Sequence, residues 1–133
     1  MGTSYKGDSP TFRSIGENVK ETANHFPFAN GLFGEKGRSR DTSIRNIVSD
    51  DPTTTAKQFY DSIAFGGKES VLIDKKTGKP KGMTTKMADG SIITWREVSS
   101  SDGSPAVDIN IERSSDNNVV QQQKIHFVEG KGK

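Results

Sequence analysis

Proton-transfer chemistry near neutral pH calls first for a histidine, and this chain has two, His25 and His126. His126 sits in Lys124-Ile125-His126-Phe127-Val128, where polar and apolar residues alternate. The same alternation occurs in Val107-Asp108-Ile109-Asn110-Ile111 and in Ile93-Thr94-Trp95-Arg96. In a β-strand, successive side chains point to opposite faces. The apolar set must face a core, so Thr94, Arg96, Asp108, Asn110, Lys124 and His126 are expected together on the other face. Thr84 and Lys86, from the segment before, fall there as well. Directly opposed residues on paired strands lie about 5 Å apart, which makes neighbours of these groups if the registers agree.

Cations, a carboxylate, an amide and an imidazole on one face suit phosphodiester chemistry. His126 is expected to act as general acid or base, a contribution of roughly 10²–10⁴ in rate. Arg96, assisted by Lys124 or Lys86, would neutralise a phosphate as charge builds in the transition state. Asp108 and Thr94 would orient His126 or the ribose. Thr84, Lys86, Asn110 and Lys124 would contact substrate. The plainer reading of each residue is that the solvent face of an antiparallel sheet is polar in any case.

The elements that would carry these residues are legible from period and punctuation. Asp51-Pro52 is a helix start: the carboxylate can cap free amides, and proline suits the first helical position. Ala56, Phe59, Tyr60 and Ile63 then form one apolar stripe at helical spacing, and Gly66-Gly67 ends it. Beyond this the period becomes two. Val71-Leu72-Ile73 is a short strand or connection, residues 83–87 alternate, and Asp89-Gly90 is a hairpin signal. Strands over residues 91–98, 106–111 and 119–128 follow. The expected fold is α+β: N-terminal helices, then a four-stranded (or slightly larger) antiparallel meander covered on one face by helix.

Residues 1–50 differ in character. Gly, Ser, Asn and charged residues dominate, a short helix is expected over residues 12–23, and residues 25–34 form an aromatic cluster broken by Pro and Gly. Its aromatics dock either on the domain's own core or on a partner protein. Arg38, Arg40 and Arg45 make a basic stretch that suits a solvated face. Hydrophobic residues are 29% of the 133, low enough to divide the chain into a loosely packed helical and loop segment, residues 1–50, and a compact domain, residues 51–133. The net charge of +2 is compatible with a nucleic-acid substrate without demanding one. The chain has no cysteine, which excludes thiol nucleophiles, disulfides and zinc–thiolate sites. No cofactor and no metal are called for. No apolar run is long enough for a membrane span, and the first residues lack a signal peptide's apolar region.

Residues 55–128 resemble the C-terminal toxin domains of bacterial polymorphic toxins, above all those of contact-dependent growth inhibition. The resemblance is carried by Ala56-Lys57-Gln58-Phe59-Tyr60-Asp61-Ser62-Ile63 before the Gly-Gly, by Thr85-Lys86-Met87-Ala88-Asp89-Gly90, and by Ile93-Thr94-Trp95-Arg96. It continues through Ser-Asp-Gly-Ser-Pro-Ala-Val-Asp-Ile-Asn-Ile (residues 101–111) and Lys124-Ile125-His126-Phe127. The resemblance implies a barnase/EndoU/colicin/RelE-like superfold and a metal-independent ribonuclease acting on tRNA through the ribose 2′-OH. It implies a cognate immunity protein and, for some members, elongation factor Tu as partners. It also implies delivery from the surface of a producing bacterium into the target-cell cytoplasm, as the end of a larger secreted protein. The main alternative is a non-enzymatic interaction module, such as an immunity protein or secretion adaptor. A mildly basic pI of about 8.9 argues against it, since proteins that bind basic nucleases are typically acidic.

Overall fold

A computed structural model describes residues 15–37, 40–98, 103–112 and 119–129. Phe12, Arg38, Ser99, Ser100, Ser101, Ser114 and Ser115 lie outside the described residues. In chain order the elements are α1 (Ile15–Ala23), β1 (Phe28–Ala29), β2 (Leu32–Phe33), β3 (Glu35–Lys36), β4 (Ile44–Ser49) and α2 (Pro52–Ile63), then β5 (Lys68–Ile73), β6 (Pro80–Lys86), β7 (Ile92–Arg96), β8 (Ala106–Asn110) and β9 (Gln122–Glu129).

Helix α2 starts where its sequence requires. Asp51 caps it, its side chain accepting the Thr54 N–H, and Pro52 opens the first turn. The chain turns away at Gly66, whose φ of +84° is open to glycine at no steric cost. The apolar stripe Ala56, Phe59, Tyr60 and Ile63 is buried, as its spacing requires. It lies over β4, β7, β8 and β9. Helix α1 packs beside α2, and Asn18 donates to the carbonyls of Ile63 and Phe65 at 2.9 and 2.8 Å. These bonds satisfy carbonyls that the end of a helix leaves open. Burial of the Tyr60 phenol, which shares a hydrogen bond with Thr85, raises its pKa above the ordinary value.

The sheet corrects the expected strand number. It has seven strands in the order β3-β4-β9-β8-β7-β6-β5 and is mixed and open. The expected meander is present as β6 to β9, all antiparallel. Strand β5 extends it on one side, and β4 joins the other side parallel to β9, with His126 opposite Asn46. The division expected at residue 50 does not appear in the packing. Ile15, Val19, Phe33 and Ile47 belong to the same buried cluster as Phe59, Ile109 and Phe127. The N-terminal aromatics dock on the chain's own core, with Phe26 and Phe33 both edge-on to Phe59 at 5.1 and 5.0 Å. Arg45 is no solvated charge either: it donates to the carbonyls of Phe33 and Gly34.

Candidate functional site

Register decides what the outer face holds. The pairings β6–β7, β7–β8 and β8–β9 align three rows across the sheet. One row runs Gly82, Arg96, Ala106, His126; the next runs Thr84, Thr94, Asp108, Lys124; the third runs Lys86, Ile92, Asn110, Gln122. All eight residues singled out from the alternation therefore share the face turned away from α2. The odd-numbered partners Ile93, Val107, Ile109, Ile125 and Phe127 are buried beneath them.

The first row sets Arg96 and His126 on either side of Ala106, two strand spacings or roughly 10 Å apart along the backbone. Arg96 Nε donates to Asp108 Oδ2 at 3.2 Å, joining the first row to the second. His126 is 5% exposed, so alternation gave its face correctly but not its cover. The Pro105 carbonyl accepts the Phe127 N–H, and this holds the segment entering β8 over that end of β9. Ser104 Oγ then lies 3.0 Å from His126 Nδ1 and orients the ring.

In the second row Thr84 and Thr94 share a hydrogen bond at 3.1 Å. Lys124 stands opposite Asp108 but forms no ion pair among the described residues, whereas Arg96 holds Asp108 through Oδ2. The third row lies two residues further along, about 6.7 Å from the second. Lys86 is therefore remote from Arg96 and His126, with Ile92 between it and Asn110. Of the two lysines expected to assist Arg96, Lys124 lies one row from it and Lys86 two.

Three features were not found from sequence. Lys68 lies directly opposite Lys86 on the outer face, and neither forms an ion pair among the described residues. Like charges in that position repel. The signal was parity within Lys68-Glu69-Ser70, obscured because no apolar residue marks the face. Ser104 was hidden in a polar loop. Ser43, Asp108, Asn110, Gln122 and Lys124 line a depression of about 290 Å³ at the second and third rows. At its rim the hydroxyl and then the amide of Ser43 donate to Asp41, holding that carboxyl below its ordinary pKa.

Among the described residues no group of three His, Asp or Glu side chains is disposed to hold a metal ion, and no helix is long and apolar enough to cross a membrane. No protein-family model, curated protein or solved structure matches the chain.

Proposed function

We propose that this domain is an endoribonuclease toxin that cleaves tRNA by metal-independent transesterification. One observation carries the reading. On the outer face of β5 to β9, Lys68, Lys86, Arg96, Lys124 and His126 share the surface with one strand carboxylate among the described residues, Asp108, which Arg96 holds. A polyanion is the ligand that such a face recruits, since its phosphates offset the repulsion that the fold leaves standing.

In the reaction, the ribose 2′-oxygen attacks the adjacent phosphorus, the P–O5′ bond breaks, and a 2′,3′-cyclic phosphate and a 5′-hydroxyl result. One proton leaves the 2′-hydroxyl and one must reach O5′. His126 supplies one of these transfers and solvent water the other, so that the proton count balances. Arg96, fixed by Asp108, faces the phosphate and stabilises the charge that gathers on its oxygens, with Lys124 beside it. Thr94 and Thr84 hold the ribose side, while Asn110 and Lys86 contact the substrate further out. Because His126 is largely covered, substrate has to reach its ring past the Ser104 contact.

The motifs of residues 55–128 support the toxin reading and bring with them the barnase-like superfold, a cognate immunity protein, the elongation factor Tu dependence of some relatives, and export as the end of a larger secreted protein. The alternative, an interaction module, draws on a different observation. Strand β5 is an open edge with Val71 and Ile73 half exposed, and such an edge can accept a partner's strand.

Incubating the purified protein with total tRNA in excess EDTA, with and without elongation factor Tu, tests the proposal. The expected result is cleavage to cyclic-phosphate ends, lowered roughly 10²–10⁴-fold by His126→Ala. Intact tRNA in both arms, or full activity in folded His126→Ala, would contradict it.

A further inference from the structure

The depression at the second and third rows holds more polar capacity than the fold uses. Asn110 and Gln122 are directly opposed at its outer end, both exposed, and neither amide makes a hydrogen bond among the described residues. Each carries two donor hydrogens and an acceptor oxygen. Ser43 Oγ spends its proton on Asp41 Oδ1 at 2.6 Å, so it turns acceptor lone pairs toward the same space. Ile92, opposite Asn110, is 40% exposed and offers an apolar surface beside the amides. Lys124 brings an ammonium group to the other end.

We infer that this depression is a base-selecting subsite, which takes one unpaired nucleobase of the nucleotide next to the cleaved phosphate. The inference rests on the ribonuclease reading and names the part of the substrate that the reading leaves open. Scale supports it. A volume of about 290 Å³ lies at the small end of ligand pockets, roughly 300–1,000 Å³, and has room for a single base. Its two ends are separated by one row, about 6.7 Å. A phosphate held by Lys124 and Arg96 thus leaves its own base over Asn110 and Gln122. A pair of amides matches an edge that presents a donor beside an acceptor, as asparagine and glutamine do with adenine. In an A-form duplex that edge lies in a deep, narrow major groove that side chains do not reach, so the ligand is a base turned out of a loop or single strand.

The test uses the four nucleoside 5′-monophosphates and ribose 5-phosphate as probes, titrated into the isotopically labelled protein. The side-chain amide resonances of Asn110 and Gln122 should move, and at least one nucleotide should bind roughly tenfold tighter than ribose 5-phosphate. Gln122→Ala should abolish that preference, and the isosteric Gln122→Glu, which replaces the donor, should change which base is preferred. Equal binding of all five probes, or an unchanged preference in Gln122→Ala, overturns the subsite. Mapping cleavage ends on tRNA separates the two readings. Base-dependent binding without any cleavage keeps the subsite and rejects the nuclease. Cleavage at the same positions by wild type and both Gln122 variants rejects the subsite and keeps the nuclease.

Discussion

Gln122 and Gln123 are adjacent in β9 and meet opposite surroundings. Gln123, on the helix side, is 3% exposed; its Oε1 accepts the Phe33 N–H at 2.8 Å and its Nε2 donates to the Gly31 carbonyl at 3.0 Å. It pins the β1–β2 hairpin to the sheet. Gln122, on the outer side, makes no such bond among the described residues and borders a depression. The contrast extends across the sheet. On the inner face the buried Thr85 hydroxyl is bonded to Tyr60, although the buried Trp95 Nε1 has no hydrogen-bond partner among the described residues. On the outer face Lys68, Lys86, Lys124, Asn110 and Gln122 have no partner of that kind among the described residues. Polar residues that the fold consumes explain stability; those it leaves over are the ones a ligand can explain.

That distinction can be broken most forcefully from the inside. Phe59 contacts Phe26, Phe33 and Phe127 at ring distances of 5.1, 5.0 and 5.5 Å, so Phe59→Ala should cost about 3–5 kcal/mol in a denaturant titration. A loss below 1 kcal/mol would mean that the N-terminal segment is not part of the core. The glutamine pair gives a sharper test at lower cost. Gln123→Ala leaves the buried Phe33 N–H and the Gly31 carbonyl without their partner and should cost about 1–3 kcal/mol, whereas Gln122→Ala should change stability by no more than about 0.5 kcal/mol. Equal losses would erase the difference between the faces. The smallest effect has the most telling sign. Lys68→Ala removes a repulsion with Lys86 and should stabilise the fold by about 0.2–1 kcal/mol, while weakening RNA binding and reducing its salt slope by roughly one. Destabilisation with unchanged RNA binding would make Lys68 an ordinary surface residue.

Local rules carried the reading of sequence as far as local rules reach. The Asp51-Pro52 start of α2, its stripe through Phe59 and Ile63, and the alternation in residues 93–96, 107–111 and 124–128 each depend on neighbours a few positions away. The structure has them as expected. The pairing of β4 with β9 joins residues 44–49 to residues 124–129, and no property of Ile44-Arg45-Asn46-Ile47 announces a partner so distant. The N-terminal segment reads as loosely packed if its polar residues are taken to be solvated. Arg45 is in fact satisfied by backbone carbonyls of residues 33 and 34. Alternation placed the site residues on one face because parity is local. It could not order them into rows, which require register, or reveal that Ser104 and the segment entering β8 would cover His126.

The outer face is the centre of the account, and Arg96 is its most exposed commitment, since in the proposed reaction it meets the phosphate directly and it lies outside the buried hydrophobic cluster. Arg96→Gln should lower the single-turnover rate of tRNA cleavage in EDTA by a factor on the order of 10²–10³, with melting displaced by no more than a few degrees. A folded Arg96→Gln protein that cuts tRNA as fast as the parent would contradict the assignment of this face as the catalytic surface.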